Sequence, residues 1–184
     1  MKKTFLSGAF DSRVKIKDFH NAPLTGEASS VGIISEGYDR AETGNVQLFC
    51  STQIYNINVV AAELNMAGAG IAEILLRLFL KSGISGFRRL DGKFTVIVRE
   101  EGKIVFIRDR NGKGPVIYFN DRYFTDSYHG LFRWRGFAPQ VDLTGLTTFL
   151  KIGYIPAPVT SLSGVQKVPA GEALIVQNGR MIRE

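Results

Sequence analysis

The stretch Phe49-Cys50-Ser51-Thr52-Gln53-Ile54-Tyr55-Asn56 places the only cysteine of the chain beside two hydroxyls and an amide. A thiol can act as a nucleophile and a hydroxyl or amide can hold a developing oxyanion, but a reactive thiol needs a neighbouring base. The two histidines, His20 and His129, give no sign in sequence of approaching Cys50. Cys50 is therefore read as a buried strand cysteine. With two histidines, one cysteine and no HxxxH, CxxC or HExxH spacing, the chain has no credible metal cluster. Arg108-Asp109-Arg110 before Asn111-Gly112 is read as a structural ion pair at a turn.

These residues need elements to position them. The apolar run Val46-Gln47-Leu48-Phe49 predicts a strand, and a helix-like run follows from Ile57, so the polar cluster is expected where that strand ends. Ile71, Ile74, Leu75, Leu78 and Phe79 lie on one face of a helix predicted to stop near Gly83. Lys93 to Val98 and Lys103 to Ile107 read as a hairpin joined through Arg99-Glu100-Glu101-Gly102, apolar on both faces and so covered on both. Further short strands are predicted over Pro115 to Phe119, Tyr123 to Asp126, Gly130 to Trp134, Glu172 to Val176 and Arg180 to Arg183. Asp142 is predicted to cap a helix through Leu150. Roughly eight to ten strands in antiparallel succession with three or four helices suggest sheets between helices.

Composition narrows the function classes. A chain of 184 residues with 45% hydrophobic and 22% charged content supports one globular domain. A single cysteine leaves no intramolecular disulfide framework, no leader pattern opens the chain, and a cytoplasmic location is expected. No apolar run reaches the roughly 20 residues of a membrane span. The net charge of +6 is scattered in groups such as Phe87-Arg88-Arg89 and Arg133-Trp134-Arg135, and nucleic-acid-binding signatures are missing.

Several blocks in order carry a family resemblance. Tyr55-Asn56, then Leu90-Asp91-Gly92-Lys93-Phe94, Arg108 to Pro115, Leu150 to Pro158, and Gly164 to Gly171 together resemble the glutaminase half of the asparagine synthetase family, a class II glutamine amidotransferase domain. They cover the last two thirds of the chain. The resemblance implies an α+β fold, a four-layer α/β/β/α sandwich of two antiparallel sheets, as in N-terminal-nucleophile hydrolases. It implies one domain over residues 1–184, with 150–171 as the connector that precedes the synthetase domain.

The resemblance also implies a site, and this sequence departs from it. The family's nucleophile is an N-terminal cysteine whose own α-amino group, with a pKa near 8, serves as base. Thr4 stands at that position, behind Met1-Lys2-Lys3. The family run NGEIYN lies over Ser51 to Asn56, with Ser51 for the oxyanion-holding asparagine, Thr52 for the glycine and Gln53 for the glutamate. The family run SDTE lies over Gly70-Ile71-Ala72-Glu73, which puts Ile71 where an aspartate pairs with the glutamine ammonium. The arginine-bearing loop that binds the substrate carboxylate has no counterpart in residues 21–48. A vestigial pocket of Thr4, Ser51, Thr52, Gln53 and Ile71 is expected, with no glutaminase activity of the chain on its own.

The expected function is a catalytically silent amidotransferase-like domain acting as scaffold for an ATP-dependent amide-forming system, as in β-lactam synthetase-like or lasso-peptide-cyclase-like proteins. The expected partner is an ATP-pyrophosphatase domain of the asparagine synthetase type, in cis or in trans. ATP and Mg²⁺ belong to that partner and no cofactor to this chain; a homodimer stays open. The alternatives are an amidase with Thr4 as nucleophile after removal of residues 1–3, and a module that binds a small ligand or peptide in the old pocket.

Overall fold

The computed structural model describes residues 5–10, 33–132, 137–177 and 180–184. The chain divides into two compact units, Met1–Glu36 with Val116–Pro169, and Gly37–Pro115 with Ala170–Glu184.

The second unit holds a six-stranded antiparallel sheet. In chain order its strands are β3 (Asp39–Thr43), β4 (Val46–Ile54), β5 (Gly92–Glu100), β6 (Lys103–Arg108), β10 (Ala173–Gln177) and β11 (Arg180–Arg183), arranged β11-β10-β6-β5-β4-β3. Helices α1 (Ile57–Glu63) and α2 (Ile71–Ser82) and a 3₁₀ turn, Ile84–Arg89, pack on one face. The α2 periodicity expected from sequence is realised: Ile74, Leu75, Leu78 and Phe79 are buried, and Gly83 ends the helix. The glutamate of Gly70-Ile71-Ala72-Glu73 turns back on the helix start, where its Oε2 accepts the Gly70 N–H at 3.0 Å. Both faces of the central hairpin are buried, as Phe94 to Val98 and Ile104 to Arg108 show.

The first unit holds a five-stranded antiparallel sheet of β1 (Phe5–Ala9), β2 (Ile33–Glu36), β7 (Tyr118–Phe119), β8 (Tyr123–Thr125) and β9 (Gln166–Lys167), ordered β2-β1-β8-β7-β9. Buried hydroxyls stitch β1 to β8: Ser7 Oγ donates to the Phe124 carbonyl at 3.0 Å and Thr125 Oγ1 to the Leu6 carbonyl at 3.1 Å. Helix α4 (Leu143–Ile152) begins at Asp142, whose carboxylate accepts the Gly145 N–H at 2.7 Å.

Two expectations are corrected. The strand through Val46 does not end before the polar cluster but continues to Ile54, because β5 supplies a pairing partner for every residue from Gln47 to Ile54. No strand begins at Gly130; Tyr128–Leu131 is a helical turn, here α3, that buries Leu131 and seats Gly130 where a Cβ would collide with Thr125. Residues 133–136 lie outside the described residues.

The turn after β6 is held by one carboxylate. Asp109, 1% exposed, accepts backbone N–H groups from Gly114 at 2.7 Å, Asn111 and Lys113 at 3.0 Å and Phe94 at 3.4 Å. The Arg108 guanidinium donates to the carbonyls of Gly112 at 2.8 Å and Gly114 at 3.5 Å. Both side chains thus serve the backbone of the turn. Burial raises the Asp109 pKa, but the four N–H donors outweigh it and hold the carboxyl below its usual range. Its stabilisation is present above the unfolded carboxylate range near ~4 and is lost as pH falls through the lower native value. Asp109→Asn is therefore expected to lose about 2–3 kcal/mol at pH 7 in urea unfolding. The difference from wild type should shrink as pH falls through the lowered native value, where the wild-type carboxylate is protonated as well. An undiminished difference at low pH would assign the loss to shape rather than charge.

Candidate functional site

Strand β4 sets the geometry of the candidate residues. Ser51 faces Thr95 in the ladder, Thr52 faces Phe94, Gln53 faces Lys93 and Ile54 faces Gly92. Alternation along the strand sends neighbours to opposite faces. Leu48, Cys50 and Ile54 belong to the core under α1 and α2, so Thr52 falls on that face, while Ser51 and Gln53 fall on the other. Ser51 is half-buried and Gln53 exposed. The Thr52 Oγ1 is buried with no hydrogen-bond partner among the described residues.

The remaining candidates part from this cluster. Ile71 is the first residue of α2 and packs, partly buried, against the core of the second unit. The structure thus gives it an apolar environment suited to its side chain. Thr4 lies outside the described residues, as does His20; His129 is exposed on α3. The structure therefore brings Ser51, Thr52 and Gln53 together at one strand end and splits them between two faces.

Residues beside the cluster hold its backbone. The Asn56 side chain donates from Nδ2 to the Arg89 carbonyl at 2.9 Å and accepts the Asp91 N–H on Oδ1 at 2.9 Å. Tyr55 N–H donates to the Asp91 carbonyl at 2.8 Å. Gly92 follows directly, at φ +149°, and a Cβ there would collide with the Gln53 carbonyl. The end of β4 and the start of β5 are thus clamped by one amide and one obligatory glycine. Sequence reasoning missed Asn56 in this role. The signal was an asparagine directly after a strand, a residue whose amide readily bonds nearby backbone.

Cys50 is fully buried, and burial pushes its thiol up to about 12, with a smaller contribution from Asp39, its cross-strand partner. At pH 8 about one molecule in ten thousand then carries the thiolate. The native chain should take up no Ellman's reagent over an hour at pH 8, and one equivalent once unfolded in guanidinium. Stoichiometric labelling of the native chain would refute the burial of this thiol.

Comparison with known proteins gives three kinds of finding. A family model described as glutamine amidotransferase domain matches residues 39–184. No curated protein matches the chain. Among solved structures, glutamine phosphoribosylpyrophosphate amidotransferase from B. subtilis, complexed with ADP and GMP, superposes with a TM-score of 0.56 at 14% identity, covering 98% of this chain and 42% of that one. A structure described as the allosteric regulatory enzyme of purine biosynthesis gives 0.57 at 14% identity, covering 100% and 43%. The chain thus spans less than half the length of either. A glutamine aminotransferase class-II domain protein from Silicibacter pomeroyi gives 0.52 at 11% identity, covering 98% and 90%. At these identities the likeness is one of fold, that of class II amidotransferases with an N-terminal-nucleophile-hydrolase-like architecture.

Proposed function

The chain belongs to the glutamine amidotransferase domain family, and from that premise we propose that it is a glutaminase-silent member, a scaffold for an ATP-dependent amide-forming partner of the asparagine synthetase type. One observation carries the reading: where this chain matches the family's motifs, the matching residues have structural work, and the residues given to chemistry are replaced. Asn56 clamps Arg89 and Asp91, Glu73 caps α2, and Asp109 gathers four backbone amides. Each of these roles is needed to fold the domain whether or not glutamine is hydrolysed. At the positions assigned to chemistry stand Thr4, Ser51, Thr52 and Ile71. A serine hydroxyl reaches less far than an asparagine amide, and isoleucine offers no charge to an ammonium group.

The surface of α4 supports a partner. Leu143 and Leu150 are 74% and 76% exposed, and Leu146, Phe149, Ile152 and Tyr154 are exposed with them. Contiguous exposed apolar side chains of this size mark interaction surfaces. In the proposed system this face meets the adenylating domain, which holds ATP and Mg²⁺, in the cytoplasm.

The deciding assay is glutamate release from L-glutamine, run on this chain and on a version that begins at Thr4. Neither is expected to release glutamate above the buffer rate. Release by the version beginning at Thr4, abolished by Thr4→Ala, would overturn the silent reading in favour of a processed hydrolase. A second expectation concerns α4. Leu150→Glu should change stability by less than about 0.5 kcal/mol, and reduce binding of an apolar dye, whereas Leu75→Ala in the core should cost about 3 kcal/mol. A large loss of stability from Leu150→Glu would mean that α4 is covered by this chain itself.

A further inference from the structure

The second unit contains a cavity of about 370 Å³ on the side of the sheet covered by α2 and the 3₁₀ turn. Its volume lies within the range of small-molecule sites. Its floor is apolar, made by Phe87, Phe94 and Ile107. It does not include Ser51, Thr52, Gln53 or Ile71, so it is separate from the residues that align with glutaminase chemistry.

Its lining carries charged groups of both signs. Two are Arg88, from the 3₁₀ turn, and Arg110, from the turn after β6, whose Nη2 donates to the Arg88 backbone carbonyl at 3.4 Å. Two more are Glu172 and Glu184, brought to one sheet end because Ala173 and Glu184 exchange both backbone hydrogen bonds, at 2.8 and 2.9 Å. Among the described residues, the side chains of Arg88, Glu172 and Glu184 make no hydrogen bond or ion pair, and that of Arg110 makes only the one to Arg88. The third lining arginine, Arg108, is engaged by the Gly112 and Gly114 carbonyls.

Two guanidiniums and two carboxylates thus border an apolar hollow. A purely anionic ligand would gain from the first pair and be repelled by the second; a purely cationic one would meet the reverse. A ligand with one charge of each sign and an apolar body gains from both pairs and from the floor. We infer that this cavity binds a small zwitterion with an apolar side chain, the chemistry of a large apolar α-amino acid or of a short peptide bearing both termini. The carboxylate would lie toward Arg88 and Arg110, where a guanidinium pair suits its two oxygens, and the ammonium toward Glu172 and Glu184. This inference is independent of whether the domain hydrolyses glutamine.

Isothermal titration of the chain tests it, with L-phenylalanine, the dipeptide leucyl-phenylalanine, 3-phenylpropionate and phenethylamine as probes. The expected result is saturable binding of L-phenylalanine or the dipeptide, with each singly charged analogue at least about tenfold weaker. Whichever zwitterion binds more tightly identifies the source. Arg88→Gln with Arg110→Gln, and separately Glu172→Gln with Glu184→Gln, should each weaken that binding about tenfold or more, with thermal midpoints unchanged because none of the four supports the core. The inference is overturned by no saturable binding of either zwitterion up to about 10 mM, by 3-phenylpropionate binding as tightly as L-phenylalanine, or by affinities that neither double variant alters.

Discussion

A single buried carboxylate organises the sheet end on which the candidate residues sit. Asp109 leaves β6 and gathers the N–H groups of Asn111, Lys113 and Gly114 from its own turn and that of Phe94 from the neighbouring strand. Its backbone carbonyl accepts from Gly171, which brings in the segment leading to β10. Through Phe94 the same group fixes the strand that pairs with Ser51, Thr52 and Gln53. Gly114 lies so near the Phe94 carbonyl that a Cβ there would come within 2.5 Å of it. In a site this dry each hydrogen bond is strong and each missing one costly, so the backbone around the turn has one arrangement that satisfies its donors.

This explains how a motif can be kept for folding whatever its chemistry. The run Arg108 to Pro115 could be taken as an anion site from its charges, yet both of its first two side chains are turned on the backbone. Asn56 and Glu73 behave alike, since each satisfies main-chain groups that would otherwise be left unpaired at a strand end or a helix start. Selection for folding alone suffices to keep such residues. Their presence identifies the family and leaves the activity to be decided by the positions around them.

The elements legible in sequence were those whose signal is burial. The face of α2 and the doubly covered β5–β6 hairpin follow directly from apolar spacing, because nearly every apolar residue in them is inside. Strand β3 carries no such signal: it is an edge strand, with all but one of its residues exposed, and it exists because β4 pairs with it. The extension of β4 through Cys50-Ser51-Thr52-Gln53 was hidden for a related reason, since the ladder from β5 carries polar residues that local propensity would leave in a loop. The apolar run Gly130 to Trp134 imitates a strand in sequence, and the close seat of Gly130 against Thr125 goes with the helical turn Tyr128–Leu131 instead. Within the candidate cluster, the division of Ser51 and Thr52 between two faces was not legible, because it depends on the register with β5.

That division bears on what the strand end is built for. Where the family resemblance expects glycine, Thr52 adds a side chain that turns toward the helix-covered core, and its hydroxyl is buried with no partner among the described residues. A buried hydroxyl without a hydrogen bond costs roughly 1–3 kcal/mol. Ile71 contributes packing at the start of α2. Ile71 thus adds apolar contact where the family resemblance places a substrate-binding group, and both positions lie in the second unit. Under the reading proposed above, Ile71 serves the packing of α2 on its sheet in place of a substrate contact.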